Sequence, residues 1–207
     1  MTAFQTPAPI AVAVDVLAGQ VTVTASDRTD TVVEVRPADP AKKGDVRAAA
    51  STLVDFADGV LTVKTPKQWR TYTPFGGNPT IEVSIAVPTG SRLSGTAGVG
   101  RILGAGELGD TTLEIAVGEI IVERPGGSVT AKAAKGDIRI GRAARGVMRL
   151  ETSVGELEVG IHPGSAAHLD TNGAVSNQLS PVGAGEVETV QVIARNALGN
   201  IIIRHAA

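Results

Sequence analysis

The sequence predicts an all-β fold, a flattened β-solenoid (β-helix or β-roll) with coils of about 18 residues behind wider β-rich N-terminal modules. Three observations predict it. Glycines recur at 100, 118, 136, 155 and 173, at intervals of 18, 18, 19 and 18. Aliphatic residues alternate with polar ones on both sides of these glycines, which is the period of a strand. The core must also be built almost without rings, because 43% of the 207 residues are hydrophobic and only 2% are aromatic. Val, Ile, Leu and Ala fill thin layers of strand better than a bulky interior.

The elements follow from one template, counted from each glycine at positions −5, −3, −1, +2 and +4. Around Gly118 these are Leu113, Ile115, Val117, Ile120 and Val122; around Gly155 they are Leu150, Thr152, Val154, Leu157 and Val159. Gly136 has Ala131, Ala133, Lys135, Ile138 and Ile140. The parity changes across the glycine, as expected of a bulge or corner that lacks room for a Cβ. Gly173 fits only with one residue deleted, and Gly199 follows after 26 residues with an insertion near Leu179–Val187. Upstream, Gly19 and Gly59 fit the template with steps of 40 and 41 residues, hence wider modules with inserted hairpins. Val33/Val35 and Ile81/Val83/Ile85/Val87 add strands, and Lys43–Ser51 is either a short helix or a long turn. Residues 1–90 form the wide modules and 91–207 the tight coils, best treated as one continuous domain. A hexapeptide helix fails, because Ile102 and Leu108 fit its period while Glu114 breaks it.

Stacking in register places equal positions about 4.8 Å apart. Position −4 then aligns Glu114, Lys132, Glu151 and Asp170, and position +3 aligns Arg139 with Glu158, so that opposite charges meet. Position +1 aligns Glu119, Asp137 and Glu156, a like-charged column that must be solvated or neutralised from outside.

The opening FQTPAPIAVAVDVLAGQVTVTASDRTDTVVEVRP, the later ADGVLTVKTPK, the Gly-Asp-Ile type repeats and HLDTNGAVSNQL carry a resemblance. They resemble a bacterial β-strand-repeat domain of unknown function whose members often bear the label "putative adhesin". The resemblance covers nearly the whole chain and implies fold and surface display. It brings no catalytic residues.

Chemistry finds few footholds. With no Cys, disulfides, thiolate metal sites and a cysteine nucleophile are excluded. A net charge of −2 recruits neither nucleic acid nor an anionic membrane. His162, His168 and His205 lack ligand-pair spacing, and Gly126-Gly127 does not continue as a calcium-roll nonapeptide. Neither a nucleophile elbow, a phosphate loop nor a zinc-protease motif occurs, so no catalytic residue, metal or cofactor is expected. The basic run Lys132, Lys135, Arg139, Arg142, Arg145 and Arg149 mimics a helix face, but Gly136, Gly141 and Gly146 argue for strands paired with Glu114, Glu151 and Glu158.

Between Pro66 and Pro79 lie three of the five aromatic residues, Trp69, Tyr72 and Phe75, together with Arg70. This loop either covers an open edge or forms a recognition tip for a protein or glycan. The expected function is a non-enzymatic, adhesin-like scaffold or binding module. A filament-forming solenoid and a carbohydrate-active β-helix enzyme are the alternatives. Met1–Pro7 lacks a basic segment followed by a long apolar run, so the sequence as written predicts a cytoplasmic protein without membrane insertion. Surface display would require that a leader has been trimmed away.

Overall fold

The structure is a computed structural model that describes residues 1–66, 79–172, 174–178 and 188–206; at 174, 175, 177 and 178 the backbone alone is described. Its first half contains β1 (Thr2–Gln5), β2 (Ala11–Ser26), β3 (Asp30–Pro37), helix α1 (Lys43–Ser51), β4 (Leu53–Ala57), β5 (Val60–Lys64), β6 (Ile81–Pro88) and β7 (Arg92–Leu108). The second half continues with β8 (Thr111–Pro125), β9 (Val129–Lys135), β10 (Ile138–Ala143), β11 (Gly146–Val154) and β12 (Leu157–Ile161). It ends with β13 (Ala166–Thr171), β14 (Ala174–Gln178), β15 (Thr189–Leu198) and β16 (Asn200–His205). Among the described residues the chain is therefore all-β apart from one helix, and its strands join in a single mixed sheet.

Alternation builds the core. The inward residues after each corner glycine stack rung upon rung: Val21, Ile102, Ile120, Ile138, Leu157 and Ile201 are neighbours on successive parallel strands, none more than 1% exposed. Val122, Ile140, Val159 and Ile203 form the next column. Each such side chain contributes about 1.5–3 kcal/mol on burial. Before the corner, Gly95, Leu113, Ala131, Leu150 and Ala194 alternate small with large along one column. A Cβ on Gly95 would come within 3.0 Å of Leu113 Cδ2, so its absence is what seats the leucine.

The corner glycines form a column of their own. Gly118 and Gly136 have φ of 141° and 143°, where a side chain is strained. An added Cβ on Gly136 would overlap the carbonyl oxygen of Gly118, and one on Gly118 that of Gly100. The same contact links Gly100 to Gly19, Gly155 to Gly136 and Gly199 to Gly155.

The structure corrects the sequence expectations in several places. Gly59 is not a corner: with Asp58 it forms the tight turn of the antiparallel β4–β5 hairpin, at φ 51° and 74°. Asp-Gly is the pair such a turn requires. Lys43–Ser51 is a helix, held to the sheet by buried Asp45, which accepts the backbone N–H groups of Asp39 (3.2 Å) and Thr80 (3.0 Å). The strands at the C-terminal end do not stack in chain order: β15 lies between β11 and β13, and β16 between β12 and β14. Arg195 therefore stands next to Glu151, and Asp170, which the sequence had placed there, pairs with Ile193 instead. At the opposite end β5 and β6 share the flank of β2, and antiparallel β4, β3 and β1 lie beyond them. No helix among the described residues is long and apolar enough to cross a membrane.

Candidate functional site

The most ordered exposed surface is the outer side of the corner. It arises because the parity changes earlier than the sequence template assumes. Ala116 and Val117 both face solvent, as do Ser153 and Val154, so position −1 is exposed rather than part of the core. The interruption of the ladder between Ile115 and Val117 marks where the backbone swings outward. As a result Val99, Val117, Val154 and Leu198 stand 46%, 44%, 43% and 67% exposed. Through the strand register they form one ridge, with Lys135 between Val117 and Val154. Lys135 was the available signal, since a lysine does not belong in a buried column.

Alongside the ridge runs a ladder of charges. Register places Thr96, Glu114, Lys132, Glu151 and Arg195 on successive rungs, while Asp170 pairs with Ile193 and reaches Arg195 through its side chain. Lys132 Nζ lies 3.4 Å from Glu151 Oε2, and Arg195 grips both carboxylate oxygens of Asp170 at 2.9 and 2.8 Å. Between ridge and ladder lies a shallow trough of about 600 Å³, floored by small residues such as Gly98, Ala116 and Ala134.

On the other side of the corner, Glu119 and Asp137 of the acidic column both pair with Arg139 of the same chain. Glu119 receives Arg101 and Arg139, each at 2.8 Å, while Asp137 accepts the backbone N–H of Glu156 at 2.8 Å. Glu158 in turn binds Arg204 at 2.6 Å and Arg139 at 3.6 Å. This zigzag flanks a second groove of about 780 Å³ that passes the corner glycines. A third cavity, about 370 Å³, lies at the turns and is lined by Arg124, Arg142, Arg145 and His162 together with Glu107 and Glu188.

Of the basic run, Lys132 and Arg149 sit on different strands, as expected, and Arg145 binds Glu188 at 3.3 Å rather than either neighbouring coil glutamate. Trp69, Arg70, Tyr72 and Phe75 lie outside the described residues. The remaining Phe4 and Phe56 pack together, with ring centroids 5.3 Å apart. Among the described residues, no group of three His, Asp or Glu side chains could hold a metal ion.

Among the described residues the fold is an all-β sheet with ordered outer columns. No protein-family model matches the chain, and neither does any curated protein. Solved structures similar to it include a "putative cell adhesion protein" from Clostridium sporogenes, 11% identical over 99% of this chain and 98% of that one, with a TM-score of 0.45. Another is a "putative adhesin" from Bacteroides fragilis, 11% identical over 98% and 95% of the two chains, with a TM-score of 0.42. A third, from Parabacteroides merdae, also a "putative adhesin", is 12% identical over 97% and 94%, with a TM-score of 0.30. At these scores the likeness carries no weight for the ligand or role of this chain.

Proposed function

We propose that this chain is a non-enzymatic β-solenoid binding scaffold, adhesin-like in its mode of action, which holds a protein or glycan partner against its corner and its aromatic loop. The observation that carries the reading is the register. Parallel partners lie 18 or 19 residues apart from β7 through β12, and 17 only beyond the register shift at the end of β7, so outward residues recur at a spacing of about 4.8 Å along one face. A rigid face with repeated rungs suits an extended partner. Trp69, Arg70, Tyr72 and Phe75 have the residue types that dominate recognition hot spots. The antiparallel strands β1, β3 and β4 at one end count against continuous end-to-end filaments, because they do not continue the parallel pairing of the coils.

A glycan array and a pull-down with the intact chain, beside Trp69→Ala and Val117→Asp, test the proposal. Capture by the wild type, and its loss in either variant without a fall in Tm, is the expected result. Turnover of a captured glycan would overturn the non-enzymatic reading. Undiminished capture by both variants would remove the site from the loop and the corner alike.

A further inference from the structure

We infer that the ridge-and-ladder face binds a second copy of this chain, with the two stacks of rungs running in opposite directions. The inference goes beyond the binding role proposed above and does not depend on it.

The argument begins with the exposed ridge. Isolated surface aliphatics are ordinary, but Val117, Val154 and Leu198 lie in one line at 44%, 43% and 67% exposure. A line of exposed aliphatics bordered by charge, broken here only by Lys135, is the form an interaction surface takes. The ladder then states what fits. Along successive rungs its signs are Glu114 minus, Lys132 plus, Glu151 minus and Arg195 plus. Reversing that series gives its complement. A twofold axis lying along the strands, midway between Lys132 and Glu151, sets Glu114 against Arg195 of the second copy and Lys132 against Glu151 of the second copy. Each contact then occurs twice, as a closed two-fold interface requires. An axis along the stack would instead set each charge against itself, which like-charge repulsion forbids.

The same antiparallel operation matches the ridge. Val117 meets Leu198 of the second copy, and the aliphatic stem of Lys135 lies on Val154 of the second copy, with its ammonium free to reach water. Lys132 and Glu151 have room for these new partners, since they remain 53% and 59% exposed in the single chain, and Arg195, 41% exposed, meets Glu114 of the second copy beside its own pair with Asp170. A face of this size holds a weak dimer, so association builds up over a concentration series and weakens with salt.

Sedimentation equilibrium of the full chain at low and high salt tests the inference, with circular dichroism confirming the fold of every variant. The wild type is expected to approach twice the chain mass at low salt. Lys132→Glu alone sets glutamate against Glu151, and Glu151→Lys alone sets lysine against Lys132, so each is expected to raise the dimer dissociation constant at least tenfold. Mixed together, the two variants regain opposite charges at both contacts, and a heterodimer is expected at near wild-type strength. Leu198→Asp, at the most exposed position of the ridge, is expected to leave a monomer of unchanged Tm. A wild type that stays monomeric at all concentrations overturns the inference. So does a dimer indifferent to Leu198→Asp, or one that the mixed charge variants fail to restore.

Discussion

Asn196 donates from Nδ2 to the backbone carbonyl of Gly155 at 2.8 Å. Its Oδ1 accepts the N–H of Leu198, also at 2.8 Å, so one side chain ties the corner of its own strand to the corner glycine next to it. One rung away, Thr152 Oγ1 donates to the carbonyl of Gly136 at 3.0 Å. The same position holds Ala97, Ile115 and Ala133 in the other coils, so the column turns from apolar to polar along its length. Asn196→Leu is expected to cost roughly 2–3 kcal/mol, since it leaves an inner N–H and a carbonyl without their partner. Thr152→Val is expected to cost about 1 kcal/mol. Urea unfolding of both variants checks the order.

Ile138 has Ile120 on one side and Leu157 on the other and is fully buried. Ile138→Asp sets a carboxylate between them, with an expected loss of several kcal/mol. Ile138→Val at the same place is expected to cost only about 0.5–1.5 kcal/mol. Equal melting of the aspartate variant and the wild type would mean that the column is not the core.

Two glycines give opposite expectations for the same substitution. Gly59 has open space where a Cβ would go, so Gly59→Ala is expected to cost only the positive-φ penalty, about 1–2 kcal/mol. Gly136→Ala drives the new carbon into the Gly118 carbonyl and must push two neighbouring strand segments apart. Its loss is expected to exceed that of Gly59→Ala clearly, and a melting curve of each decides.

Glu119 binds Arg101 and Arg139 at a half-exposed surface. Surface pairs are worth about 0–1 kcal/mol each, so Glu119→Gln is expected to lower Tm only slightly. The difference from wild type should shrink in high salt, because screening weakens the native pairs. A salt-independent loss of several kcal/mol would show that the network bears the fold.

The period of the glycines made most of the stacking legible. Leu157 next to Ile138 and Ile138 next to Ile120 follow from counting alone, since every inward residue has to meet its counterpart one coil away. Position −1 was not legible from alternation, because the backbone swings out one residue before the glycine. The order at the C-terminal end was hidden for another reason. Residues 166–178 and 189–205 both fit the template, and a template does not say which of two coils lies nearer to β11. Charge separates the two orders: the alignment by sequence sets Asp170 beside Glu151, a repulsive pair, whereas β15 brings Arg195 to that place. The candidate loop was singled out by composition, and composition says nothing of where Trp69 or Tyr72 points.

The placement of β15 and β16 inside the stack has a consequence for synthesis. A ribosome delivers residues 166–178 before 189–205, so the place beside β11 and β12 is vacant when β13 and β14 emerge. Both edges of the vacancy are parallel, and the early strands can pair there one coil too soon. Reaching the native order then requires them to release that ladder and let the later coil in. Where that premature pairing forms, assembly of this end becomes an exchange of strands, not a simple addition. Its pace would then follow how readily that pairing lets go, a step that the strands from β7 to β12, paired in the order they are made, do not require.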